Sequence, residues 1–199
     1  MFNFLPSLPD LITYAIILFT AFPIHEFAHA WTADQFGDDT PRLNGRLTLN
    51  PLAHLDPIGS LLMIIAGFGW AKPVPINPYA LQRRSRAAPM LVSLAGPMSN
   101  LLMAILASTP FRLGLVSIHD INQSTGSILP NIPWFLFLFI YVNLLLMLFN
   151  LIPIFPLDGE KVLDYFLYQK HLGRRHCLLV FFPHQPKLPN LHYTHVSFL

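Results

Sequence analysis

The sequence predicts an all-α polytopic membrane protein, with about three to four transmembrane helices and a re-entrant or interfacial segment near residues 57–78. Three observations predict it. Only 11% of the 199 residues are charged, where a soluble domain carries roughly 25%. Mean hydropathy is positive, at +0.49. The few charges are also unevenly spread, leaving long uncharged stretches. The composition excludes intrinsic disorder, which needs low hydrophobicity and high net charge. The length suits one domain. A net charge of +2, with no basic cluster on a binding helix, gives no reason to expect a nucleic-acid partner. The single cysteine, Cys177, cannot form an internal disulfide.

A bilayer core needs about 20 apolar residues in a helix. Leu11 to Ala30 meets that length with one charge, Glu26, and Pro89 to Pro110 meets it with none. Ile121 to Leu157 contains no Asp, Glu, Lys or Arg, and its Leu- and Phe-rich part, Trp134 to Ile152, reads as the third span. Pro57 to Ala71 is uncharged but too short for an upright span, and it runs into Gly67-Phe-Gly69-Trp70 and Lys72-Pro73-Val74-Pro75, which is turn chemistry. Irregular backbone of that kind is tolerated in a membrane only under a cover of protein or in a wet cavity. Lys and Arg gather between the first two spans and after the last, whereas Arg112 alone lies between the second and third. The expected topology is therefore an N-terminus outside and a C-terminus in the cytoplasm, in a plasma or inner membrane. Ala28-His29-Ala30 fits a signal-peptidase site, but the segment before it has no Lys or Arg and carries an internal glutamate, which argues against cleavage.

The chemistry starts inside the first span, with His25-Glu26-Phe27-Ala28-His29. Residues four apart on a helix share a face, so both imidazoles can grip one metal ion. Glu26 lies to the side of that pair, placed to take a proton from an attacking water. With nine His and two Glu, random order yields about 0.004 such HExxH matches per chain, so the motif is informative. Three ionisable groups within five residues are also expensive in hydrocarbon and usually mark function there. A catalytic zinc keeps three protein ligands and one open position, which leaves a ligand to find. Asp158 ends the uncharged stretch within Asn150-Leu-Ile-Pro153-Ile-Phe-Pro156-Leu-Asp158-Gly159, whose prolines should break the third helix. By spacing alone it is either that ligand or an acid closing a helix at the interface.

The combination resembles the site-2 protease family of intramembrane zinc metalloproteases. The resemblance spans roughly residues 10–168 and rests on the HEFAH of the first span, AGPMSN (Ala95 to Asn100) in the second, and NLIPIFPLDG (Asn150 to Gly159) after the third. It implies one zinc ion held by His25, His29 and Asp158, with Glu26 as general base. Asn150 matches the asparagine that opens the last motif, a donor for the tetrahedral oxyanion. Asn100 matches the polar end of the second motif, and a bond between helices explains it equally well. His54, in Asn50-Pro-Leu-Ala-His54-Leu-Asp56-Pro57, resembles a family loop and either approaches the metal or ties that loop down. The stretch from Gly67 to Pro78 matches a segment that forms a membrane-edge strand or hairpin in the family, or is a plain interfacial loop.

The implied activity is hydrolysis of peptide bonds in or near transmembrane segments of a membrane protein or peptide, within the lipid bilayer. A non-proteolytic membrane metal-binding or regulatory protein of the same fold is the alternative, against which Glu26 argues, since a structural zinc needs no base. A channel or transporter is disfavoured by the few spans and the lack of repeats. The 111–130 connection is too short for an inserted folded domain. The expected organisation is a metalloprotease domain over 1–168 and an atypical tail over 169–199. The tail is rich in Pro and His, without periodicity, and its one apolar run, Leu178 to Phe182, is too short to cross.

Overall fold

The computed structural model describes residues 7–66, 72–121, 129–171 and 193–194. Eight α-helices are described: α1 (Leu8–Gln35), α2 (Thr40–Leu43), α3 (Pro51–His54), α4 (Pro57–Ala66), α5 (Pro78–Arg84), α6 (Ala88–Arg112), α7 (Ile132–Asn150) and α8 (Asp158–His171). The strands β1 (Pro75–Ile76) and β2 (Tyr193–Thr194) pair antiparallel, Pro75 facing Thr194 and Ile76 facing Tyr193. Three helices, α1, α6 and α7, are long and apolar enough to cross a membrane, as the sequence predicts. Each runs somewhat beyond its predicted hydrophobic stretch at one end or both.

The abundant prolines find their place at helix starts. Pro9, Pro41, Pro51, Pro78, Pro89 and Pro133 occupy first-turn positions, where the missing N–H would have no intrahelical acceptor. Asx-Pro pairs add the caps. Asn50 accepts from the Leu52 N–H at 3.1 Å, Asp56 from Ile58 and Gly59 at 3.0 and 2.9 Å, and Asn77 from Tyr79 and Ala80 at 3.1 and 3.3 Å. At the start of α1, Ser7 and Asp10 form a reciprocal capping box. Asp10 also accepts from the Trp134 indole N–H at 3.2 Å, which ties the start of α1 to that of α7.

α6 is the central span, packing along α1, α7 and α8. Ile17, Leu18, Ala21 and Phe22 of α1 form one core with Leu138 and Leu146 of α7. Ala30 and Ala33 of α1 form a second with Val74, Ile76, Leu81, Ala88 and Val92. The outward faces stay apolar: Leu102, Ile105 and Leu106 on α6, and Phe137, Tyr141, Leu145 and Leu148 on α7, are exposed. In water such faces would be a liability; in a bilayer they meet hydrocarbon.

The segment predicted to be re-entrant or interfacial contains α4, only ten residues long. Residues 67–71 lie outside the described part, and the chain then enters the two-residue strand β1 at 75–76, so that part of the stretch left open between strand and loop is strand. Its edge is paired with β2, from the region read as tail. Most of that tail, including Cys177 and Leu178 to Phe182, lies outside the described residues.

Candidate metal centre

The HExxH helix places its polar turn at the seam between the two apolar cores. Phe22 ends one core contribution of α1 and Ala30 begins the other. Between them His25, Glu26 and His29 are 3%, 0% and 0% exposed, so none is a surface polar group. Burial of three ionisable side chains in an apolar bundle is stable only if they are paired with other groups or with a cation.

Asp158 supplies the third corner. Of the two readings of Asp158, the helix-closing one is corrected by the fold: α7 ends at Asn150, a proline-containing turn covers 151–157, and Asp158 opens α8. The turn reverses the chain so that α8 packs on α6 and the Asp158 carboxylate reaches α1. Gly159 permits this, because a Cβ there would fall within 2.6 Å of the Ile152 carbonyl oxygen and closer still to that of Leu151. The start of α8 thus abuts the end of α7, next to Asn150.

The donor atoms converge. His25 Nε2 and His29 Nε2 are 3.0 Å apart, and each lies 3.3 Å from Asp158 Oδ2. Ligand atoms on a tetrahedral zinc are separated by about 3.3–3.5 Å, from metal–ligand bonds of 2.0–2.2 Å. Two of the three separations fall in that range and the third is slightly shorter; three donors so placed, two of them imidazole nitrogens, suit one ion, and His25, His29 and Asp158 are the group of described residues that can hold it. The His29 Nδ1–H donates to the Val92 carbonyl at 2.7 Å, which fixes the tautomer and leaves the Nε2 lone pair for a metal.

Sequence reasoning missed the residue that makes room. Gly96 of α6 faces both imidazoles, and a Cβ there would lie 2.6 Å from His25 Cε1 and Nε2 and closer still to His29 Nε2. Its signal was present: an isolated glycine inside an apolar helix, followed by Pro97, marks a close approach of backbone. Val92, one turn earlier, contributes only its carbonyl and leaves no trace in side-chain type.

The other candidates fall around this centre. Asn150 is buried, and its Nδ2 donates to the Leu146 carbonyl at 3.0 Å, leaving a second amide hydrogen and Oδ1 unused among the described residues. Asn100, one turn beyond Gly96, is fully buried with neither amide atom hydrogen-bonded among the described residues. His54 is fully buried but lies outside the metal-binding group; its Nε2–H donates to the Thr48 carbonyl at 2.7 Å, so it closes its own loop.

That loop carries two further residues overlooked in the sequence. Arg46 is 6% exposed, and its guanidinium donates to the carbonyls of Ala53 and, at 3.4 Å, Lys72, within electrostatic reach of Glu26. The positive φ of Gly45, +66°, sets up the turn before it. Asp38, 1% exposed, accepts from the Thr40 N–H at 3.0 Å and the Asn77 N–H at 2.7 Å. Together with the Lys72 N–H to His54 carbonyl bond at 2.7 Å, these contacts lash the segment leading through β1 to the loop after α1.

Comparison with known proteins finds similarity to zinc metalloproteases. Residues 110–178 match the family model described as Peptidase family M50. The chain is 44% identical over 160 residues to "Putative zinc metalloprotease YwhC" of Bacillus subtilis, covering 78% of this chain and 69% of that protein. It is 35% identical over 147 residues to "Putative zinc metalloprotease Rip2" of Mycolicibacterium smegmatis, and 34% identical over 147 residues to the Rip2 of Mycobacterium tuberculosis. Each of these matches covers 71% of this chain and 52% of the relative, so the chain spans about half the length of the Rip2 proteins. No solved structure matches the chain significantly.

Proposed function

Given that this chain belongs to peptidase family M50, the site-2 protease family of zinc metalloproteases, we propose that it is an intramembrane endopeptidase that cuts membrane-protein substrates in or near a transmembrane segment. One observation carries the reading: the metal-binding trio of His25, His29 and Asp158, with Glu26 beside it, is buried on a helix that is itself long and apolar enough to span a bilayer. A scissile bond can reach that depth only if the substrate enters the membrane with it.

His25, His29 and Asp158 would hold the zinc, which when bound would supply a Lewis acid for the scissile carbonyl and acidify water. Glu26 takes a proton from the attacking water as its oxygen adds to the carbonyl carbon, and delivers it to the amine nitrogen as the C–N bond breaks. The second Nδ2 hydrogen of Asn150, unused among the described residues, is available to the oxyanion. His54 and Arg46 keep the loop after α1 in place. A helical substrate hides its carbonyls, so it must unwind locally before attack. Basic residues flank the ends of the spans nearest the site (Arg42, Arg46, Lys161), which favours entry of water from the cytoplasmic side, with the N-terminus of the protein outside. Residues 1–168 form the catalytic unit.

The test is cleavage of single-span peptides by detergent-purified protein. Wild type should cut, lose activity to a chelator and regain it with Zn²⁺. Glu26→Gln should keep zinc but lose cleavage by about 10²-fold or more. Wild-type turnover in that variant would remove Glu26 from the mechanism, and protein free of zinc after expression in zinc-replete medium would sink the protease reading.

A further inference from the structure

Two buried asparagines are left over from the metal site. Asn143 of α7 is 0% exposed, and its Nδ2 donates to the Phe139 carbonyl at 2.8 Å within its own helix, while Oδ1 meets no hydrogen-bond donor among the described residues. Asn100 of α6 is equally buried, and neither its Oδ1 nor its Nδ2 is bonded among them. Both helices are candidate spans and pack on each other along their length. An unpaired amide atom in such an interior costs free energy that water, if it could reach, would relieve. Among the described residues neither makes the inter-helix hydrogen bond by which polar residues usually help such helices adhere.

Their position relative to the metal centre has a direction. Asn100 stands one turn, about 6 Å, beyond Gly96 along α6, and Gly96 touches the two imidazoles. Asn143 stands seven residues, about 10 Å, before Asn150 on α7. In the topology proposed above both displacements point toward the outer leaflet. Because α6 and α7 pack together and bury both residues, a chain lying across the metal centre and running outward would pass them in turn only where it parts the two helices.

The open atoms specify a ligand. Asn100 offers one acceptor and a two-hydrogen donor, which complements the C=O and N–H of a peptide group. Asn143 offers an acceptor for one more N–H. Both are uncharged, as a site in hydrocarbon requires. We propose that Asn100 and Asn143 form a subsite for the backbone of the unwound substrate on the outer side of the metal centre, satisfying peptide groups that unwinding has stripped of their helical partners. The subsite rests on the endopeptidase reading, and it assigns a purpose to polar atoms that otherwise only destabilise the bundle.

The experiment measures binding rather than turnover. The protein carries Glu26→Gln, so that substrate stays intact, and is placed in nanodiscs with fluorescent single-span peptides. One peptide has a Gly-Pro pair at the centre of its apolar stretch; the other is an unbroken Leu-rich helix. Asn143→Leu and Asn100→Leu are near-isosteric and remove only the polar atoms. Each should weaken binding of the broken peptide about tenfold, the worth of one or two well-placed hydrogen bonds, and leave the unbroken peptide unaffected, since its peptide groups are already paired. The Tm of the peptide-free protein should stay level or rise, because an unsatisfied buried amide has been replaced by an apolar side chain. Equal weakening for both peptides, no weakening for either, or a fall in Tm, which marks a lost helix–helix bond, would each overturn the subsite. A differential that persists although wild type cuts neither peptide would leave the subsite standing and refute the endopeptidase reading alone.

Discussion

Replacing Gly96 by alanine adds a single methyl group at the point where α6 passes the two imidazoles. The added carbon would lie 2.6 Å from His25 Nε2 and nearer to His29 Nε2, against 3.4 Å for ordinary contact. The imidazoles must therefore retreat by about 0.8 Å or more, since repulsion rises steeply inside van der Waals contact. His29 cannot retreat freely, because its Nδ1–H is held by the Val92 carbonyl on the same helix, one turn away. α6 cannot back off either without leaving α1, α7 and α8. Metal sites tolerate ligand displacements of only about 0.2 Å, so the donor triangle is lost before the fold is. Overpacking of this kind destabilises a core by about 1–3 kcal/mol, which most domains survive. The expected result is a folded protein in which zinc per chain drops well below one after dialysis against a mild chelator, with turnover down by about a hundredfold or more. Zinc content by mass spectrometry, helicity by circular dichroism and cleavage of a single-span peptide measure the three quantities. Met98→Leu, on the exposed face of the same helix, is the control and should match wild type. A Gly96→Ala protein with one zinc per chain and wild-type turnover would refute the argument that the glycine exists to admit the imidazoles.

Two further predictions concern the loop after α1. Arg46→Met removes the charged donor from the Ala53 and Lys72 carbonyls and should lower stability by about 2–4 kcal/mol. Zinc content should not change, and Arg46→Lys, lacking the fork, should fall between; a Tm equal to wild type for Arg46→Met would show that the clamp is idle. For His54, burial pushes the pKa below the ordinary histidine value, only partly countered by its bond to Thr48. The folded state therefore resists a proton that the unfolded chain accepts near about pH 6.5, so this contribution to stability is complete above that pH and is lost as the pH falls through the depressed folded value. Wild type should lose more Tm between neutral and mildly acidic pH than His54→Gln; parallel curves for the two proteins would contradict the assignment.

Much of this protein is legible in the chain because a membrane makes polar residues scarce. Three apolar stretches mark α1, α6 and α7, and against that background the His25-Glu26-His29 turn stands out by composition alone. The proline-capped helix starts are equally local, depending on an Asx-Pro pair and nothing distant. Asp158 is different. Its sequence position allowed a helix-closing acid or a metal ligand, and only the turn over 151–157, with Gly159 set against Leu151, swings it 3.3 Å from both imidazoles. Gly96 signals only a close approach of backbone and does not say to what, and the Val92 carbonyl is invisible as a site component because it acts by offering backbone, which residue type does not report. His54 reads as a possible ligand in any sequence rich in metal-binding residues, yet the fold turns it to Thr48. Asn143 carries no motif at all. The local chemistry of helix starts, spans and the HExxH face was thus determined by the sequence, since each needs only neighbours a few residues away. The closing of the metal triangle, the clearance at Gly96 and the lack of a partner among the described residues for the Asn100 amide and the Asn143 Oδ1 were decided by how α1, α6, α7 and α8 pack, because each depends on atoms that lie far apart along the chain.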